Sequence, residues 1–147
     1  MKLSTRSRYG TRLMLDMALH YNQGPIRLGL IAERQAIPLK YLEQIIIPLK
    51  RAHYVKSMRG PRGGHMLAKS PAEITVGEIV DLLEGGLLLT RCSEYPEECD
   101  RSETCLTRFL WKETTEAIQQ RLQAITLADL AARFKEEGGK PADPVCT

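Results

Sequence analysis

The chain has 147 residues, 43% of them hydrophobic and 27% charged, which excludes a disordered or collagen-like polymer and fits one compact unit. A chain of this length buries about 68–70% of its unfolded surface, so the four cysteines are not needed as a disulfide framework. The net charge of +3 hides a division: residues 1–69 carry 13 Lys and Arg against 3 Asp and Glu, and residues 70–147 carry 8 against 15.

A basic front half points to a polyanion, because each phosphate neutralised by Lys or Arg releases condensed counterions. Nucleic acid is the leading partner. A membrane surface would call for a basic amphipathic helix with large exposed apolar groups or for a lipid anchor, and the pattern shows neither. No apolar stretch reads as a signal peptide or a membrane span, so a cytoplasmic protein is expected. In a reducing compartment, functional cysteines more often bind metal or undergo redox chemistry than bridge.

In chain order, residues from about Ser7 to Tyr21 repeat as an amphipathic helix. Leu13, Met17 and either Met14 or Ala18 form its stripe, with Arg12 and Asp16 off it. Asn22-Gln23-Gly24 read as its stop. A second short helix uses Leu28, Ile31 and Ala32 and runs out near Gln35-Ala36-Ile37. Pro38 suits the first turn of a third helix, where its missing N–H lacks a partner anyway. Leu39, Leu42, Ile46 and Leu49 are expected on the buried face of this helix, and Lys40, Glu43, Gln44 and Ile47 on the opposite one. Pro48 predicts a kink or an early tightening, because it removes a backbone bond to Gln44. Two strand-like runs, 53–58 and 65–69, flank Arg59-Gly60-Pro61-Arg62-Gly63-Gly64, which predicts a hairpin with a basic, glycine-rich tip. Short helices, a helix with a polar outer face and then a hairpin is the order of a winged helix-turn-helix.

In the acidic half, Thr75-Val76-Gly77-Glu78 is a capping box that opens a helix to about Glu84, and Gly85 and Gly86 break it. Cys92 to Cys105 is polar and charged and reads as a loop. Leu106, Leu110, Ala117, Ile118, Leu122 and Ile125 then recur with helical period over about five turns, a length that suits a partner. Thr126 to Asp129 caps a last short helix to about Lys135, and a polar tail follows. The fold expected is mainly α with a small β-hairpin wing. There are no internal repeats.

Cys92, Cys99 and Cys105 cluster in that loop, and Cys146 lies far off. Thiolates on loose backbone suit a metal cluster. Zinc in a nucleic-acid module stays open as an alternative, although structural zinc sites usually have close cysteine pairs and four protein ligands, and this loop meets neither condition. Three unremarkable thiols are the plain alternative. An enzyme is disfavoured, since there is no C-x-x-C motif, no nucleotide fingerprint and no Ser, His and acid constellation.

Ser7-Arg8-Tyr9-Gly10, Ile31-Ala32-Glu33-Arg34-Gln35, Tyr41-Leu42-Glu43-Gln44, Val55-Lys56-Ser57 with Arg59-Gly60 and Gly63-Gly64, and Thr75 to Glu78 together carry a family resemblance. From Met1 to about Leu130 the chain resembles the Rrf family of winged-helix transcription regulators. Arg91-Cys92, the three-cysteine loop and Cys105 to Trp111 are most similar to the IscR-like branch, whose members hold an iron–sulfur cluster at a dimer interface. The resemblance implies Cys92, Cys99 and Cys105 as ligands of a [2Fe–2S] cluster, with [4Fe–4S] as the alternative. It departs from that branch in two places. The first cysteine spacing is one residue longer, and the position of the branch's histidine ligand is Arg108, whose guanidinium offers no lone pair. The fourth ligand is open among Cys146, Glu103 and Asp100. His20 is expected on the helix surface, and His53 and His65 as wing structure.

On the polar face of the third helix, Lys40 suits phosphate or guanine, Gln44 adenine, and Glu43 a cytosine amino group. Arg59 and Arg62 suit a narrow minor groove, where negative potential is enhanced. Arg8, Tyr9, Tyr41 and Lys50 are phosphate candidates, although both tyrosines also suit a core position with the hydroxyl at the surface. The expected organisation is a winged helix-turn-helix over 1–69, a connecting helix over 70–90, a cluster-binding loop over 91–105, a dimerisation helix with a short terminal helix over 106–135, and a flexible tail over 136–147. The function implied is that of a homodimeric regulator on a pseudo-palindromic operator, sensing redox, iron or cluster supply. The alternative is a metal-free, thiol-based redox or cysteine-metabolism repressor of the same fold.

Overall fold

The structure is a computed structural model that describes residues 2–139. Its elements are α1 (Thr5–Leu19), α2 (Leu28–Gln35), α3 (Leu39–Arg51), β1 (Val55–Met58), β2 (Gly64–Leu67), α4 (Val76–Glu84), α5 (Leu106–Gln123) and α6 (Leu127–Glu136). Cys146 and the end of the expected tail lie outside the described residues.

Helix α1 starts two residues before the expected position because Ser4 caps it, its hydroxyl accepting the Ser7 N–H at 3.1 Å. Asp16 does not lie off the buried face as expected. It is 2% exposed, and its carboxylate accepts Arg34 Nε at 3.1 Å, a second Arg34 nitrogen, and Gln35 Nε2 at 3.0 Å. This bridge docks α2 on α1. Helix α2 ends at Ala36 in the left-handed region, and Pro38 caps the start of α3.

The buried stripe of α3 is Leu42, Ile45, Ile46 and Leu49, and Leu39 is 43% exposed. That corrects the expected face. At 3.6 residues per turn, Leu39 falls to one side of this stripe and on the first helical residue, where it overhangs the core. Pro48 does not end the helix, which continues to Arg51. Strands β1 and β2 pair antiparallel in the register Val55↔Leu67, Lys56↔Met66, Ser57↔His65, Met58↔Gly64. Ile26 bridges the outer edge of β2, exchanging two 2.8 Å backbone bonds with His65. The close approach explains Gly64: its φ is +156°, and a Cβ there would stand 2.5 Å from the Ile26 carbonyl oxygen.

Leu13, Met14, Ile31, Leu42, Leu49, Ile79 and Leu127 form the centre of one core shared by α1, α2, α3, α4 and α6. Both expected capping boxes form, Thr75 with Glu78 and Thr126 with Asp129. The two caps are themselves joined, with Val76 N–H donating to Ile125 at 2.8 Å and Leu127 N–H to Ile74 at 2.9 Å. Helix α5 packs on α4 through Ile118 and Leu122, against Val76, Val80 and Leu87. Its first turns leave Leu106, Phe109, Leu110 and Trp111 exposed, Leu106 by 86%. Among the described residues, no helix is long and apolar enough to cross a membrane.

Candidate nucleic-acid interface and cysteine loop

The buried stripe of α3 turns Lys40, Glu43, Gln44, Ile47, Lys50 and Arg51 to solvent on one face. The expected readers Lys40, Glu43 and Gln44 are therefore together. Glu43 has no ion-pair partner among the described residues, so an acid stands alone on a basic surface. The phosphate candidates Tyr9 and Tyr41 are half-buried and meet edge to face, ring centres 5.5 Å apart, tying α1 to α3. The Arg12 guanidinium lies over the Tyr9 ring at 5.7 Å and also bonds Gln35. Arg8 is half-buried and folds back on its own helix, donating to Thr5 Oγ1 at 3.3 Å. Arg6, unassigned from the sequence, joins Tyr41, Gln44 and Ile45 around a small cavity of about 150 Å³.

Arg59 and Arg62 are exposed at the wing tip. A residue that sequence reasoning missed holds that tip: Arg27, just before α2, donates to the Pro61 carbonyl at 2.7 Å. The contact spans 34 residues, and no local pattern announces it. His65 sits in β2 with the Ser57 hydroxyl 2.9 Å from its Nδ1, and burial, aided by Lys50, lowers its pKa. It is wing structure, as expected. His20 donates from Nδ1 to the Asp16 carbonyl at 2.8 Å on the surface of α1.

Between α4 and α5, Gly85 leaves the helix in a left-handed cap with φ +76°, and the chain makes two 3-10 turns, Arg91–Ser93 and Pro96–Glu98. Cys92, Cys99 and Cys105 are free and half-exposed on this segment. The Cys92 thiol faces Thr90 Oγ1 at 3.6 Å. Cys105 is the N-cap of α5, and the Thr107 hydroxyl 3.3 Å from its sulfur, followed by the Arg108 N–H, lowers its pKa. Two arginines clip the loop. Arg91 grips Glu98 with two bonds of 3.0 and 2.9 Å, and Arg108 donates to the Ser102 carbonyl at 2.8 Å. The Arg108 Nε is buried without an acceptor, as is the Arg8 Nε on α1.

Among the described residues, no three His, Cys, Asp or Glu side chains converge as a metal shell, and Asp100 and Glu103 are exposed. The donor chemistry nevertheless fits a thiolate-held cluster. Three thiols share one loop, one of them biased toward thiolate, and beside it the Arg108 Nε is a buried donor free to take an acceptor.

Comparison with known proteins agrees with this architecture. The Rrf2 family model, described as an iron-dependent transcriptional regulator, matches residues 3–133. The HTH-type transcriptional regulator IscR of Serratia proteamaculans is 42% identical over 130 residues, 88% of this chain and 79% of that protein. The solved structure of T. potens IscR has a TM-score of 0.77 at 37% identity, covering 97% of this chain and 93% of that one. CymR, the global cysteine regulator of B. subtilis, has a TM-score of 0.77 at 36% identity, covering 90% and 98%. The chain belongs to the Rrf2 family of winged-helix, DNA-binding transcriptional regulators, which are not enzymes.

Proposed function

We propose that this regulator acts in the cytoplasm as a homodimer on a pseudo-palindromic operator and senses redox, iron or cluster supply through an iron–sulfur cluster. Cys92, Cys99 and Cys105 are three ligands, the cluster is [2Fe–2S] with [4Fe–4S] as the alternative, and the fourth ligand comes from Glu103, Asp100 or Cys146. The observation that carries this reading is the placement of three half-exposed thiols on one loop at the head of α5, next to the exposed Leu106, Phe109, Leu110 and Trp111. Such an apolar surface is what a second copy covers in a two-fold interface. When bound, the cluster supplies a one-electron redox centre whose occupancy follows iron supply.

The chain's own residues do the reading. Lys40, Glu43 and Gln44 face bases from α3, Arg59 and Arg62 enter the minor groove, and Arg8, Tyr9, Tyr41 and Lys50 hold phosphate. The organisation follows: reader over 1–69, connector over 70–90, cluster loop over 91–105, dimer helices over 106–135, and a tail over 136–147. Signalling requires the loaded and empty forms to differ in DNA affinity.

The test is iron, sulfide and a visible spectrum on anaerobically isolated protein, repeated for Cys92→Ala and Cys146→Ala. Iron and sulfide present in the parent and lost in Cys92→Ala support the reading. Retention in Cys146→Ala excludes the tail as ligand. A second reading, a metal-free thiol switch, is favoured by the lowered Cys105 pKa and by thiols that are not gathered into a shell. A colourless, iron-free protein that still loses or gains DNA binding with oxidant would establish it.

A further inference from the structure

We propose that Arg108 is a tuning residue for the cluster: it donates a hydrogen bond from Nε to an anionic sulfur of the cluster or its thiolates and favours the reduced state. The inference rests on the cluster reading above and adds to it a residue that is not a ligand.

Three observations place Arg108 there. It lies one turn into α5 from the N-cap Cys105, and side chains on a helix lean toward its N-terminus, back over the loop. Its terminal nitrogen is held at 2.8 Å by the Ser102 carbonyl, so the guanidinium is anchored across the Cys99 to Cys105 arm. Its Nε is shielded from water without an acceptor, and buried donors are nearly always paired. A guanidinium is permanently charged and cannot ligate iron, so an orphaned donor of this kind beside a cysteine loop is complementary to sulfur anions rather than to metal.

The consequence is electrostatic. Reduction adds one negative charge to the cluster, and a fixed positive donor at its sulfurs stabilises that added charge more than the oxidised form. Arg108 thus raises the potential at which the sensor takes up its electron.

The experiment uses full-length protein, anaerobically reconstituted with iron and sulfide, as the parent, Arg108→Gln and Arg108→Lys. Iron and sulfide per chain are measured first, and each cluster is then reduced by one electron from dithionite against mediator dyes. Equal loading is expected, with the one-electron equilibrium constant of Arg108→Gln lowered by about tenfold, equivalent to 59 mV. Arg108→Lys, which keeps the charge and loses the planar fork, is expected between the two. A parent without iron and sulfide defeats the cluster reading itself. An unchanged potential in a loaded Arg108→Gln overturns the tuning role alone. Loss of iron from both variants overturns it as well, since a group outside the ligand set is not required for occupancy.

Discussion

Helix α2 is docked on α1 by a carboxylate that is almost wholly buried facing a guanidinium that is not. The Asp16 side chain is 3% exposed and that of Arg34 38%. Removing either partner breaks the Arg34–Asp16 bonds, Asp16→Ala also frees Gln35 Nε2, and the two leave different debris. In Arg34→Ala the carboxylate stays buried with Gln35 Nε2 at 3.0 Å and His20 Nδ1 at 3.6 Å as its remaining polar neighbours among the described residues. Orphaning a buried charge costs about 3–5 kcal/mol, and those two groups set the expectation at the low end, about 3 kcal/mol. In Asp16→Ala the guanidinium turns to water, so the loss is that of hydrogen bonds to a charged group less the recovered desolvation, about 2 kcal/mol. Urea denaturation at one protomer concentration measures both, with an unchanged slope and shifted midpoints. Thermal midpoints should fall by about 2–4 °C per kcal/mol for a chain of this size. A loss in Asp16→Ala equal to or larger than that in Arg34→Ala would refute the reasoning, because the buried carboxylate would then not be the costly remainder.

Arg27→Ala should weaken duplex binding about fivefold, the worth of one exposed charge-assisted bond, with the slope of log K against log salt unchanged. A slope reduced by about 0.9 would make Arg27 a phosphate contact instead. Glu43→Ala should relax base preference by about 1–3 kcal/mol at one operator position in a binding-site selection, and an unaltered preference would remove its reading role. Burial and Lys50 hold His65 below its ordinary pKa of 6.5, so the unfolded chain takes the proton first as pH falls. Stability contributed above about pH 6.5 is therefore lost below it. His65→Gln should flatten that part of the urea midpoint against pH, and a curve identical to the parent's would contradict the assignment.

What was legible in the sequence was local. The capping boxes at Thr75 and Thr126 are four-residue patterns whose partners lie three positions away, and both form. The outer face of α3 was legible because Lys40, Glu43, Gln44 and Ile47 share one side at any plausible register. Leu42, Ile45, Ile46 and Leu49 follow the regular i, i+3, i+4, i+7 pattern, so the periodicity already favoured Ile45, and a stripe begun at the helix end with Leu39 missed it. Asp16 illustrates the stronger limit. A charged residue reads as surface until a partner 18 residues away neutralises it, and nothing in the spacing identifies Arg34. Arg27 was missed for the same reason, as its acceptor is a backbone carbonyl at the wing tip. The cysteines were legible as a group on one loop. The sulfurs of Cys92 and Cys105 sit against nearby hydroxyls, so the spacing did not foretell the mutual placement.

The bridge between Thr75 and Thr126 brings the beginning of α4 and the beginning of α6 to one point on the core. Helix α4 stays in the core through Ile79 and Leu83, and the segment from 85 to 125 leaves it and returns at that clasp, like a bight of rope. Closing a longer bight costs little, about 0.6 kcal/mol for each doubling of a flexible loop. An additional residue between Cys92 and Cys99 is therefore absorbed within the bight and leaves the spacing of α1, α3 and the wing unaltered. The cysteine segment can change in length over generations while α1, α3 and the wing keep their shape.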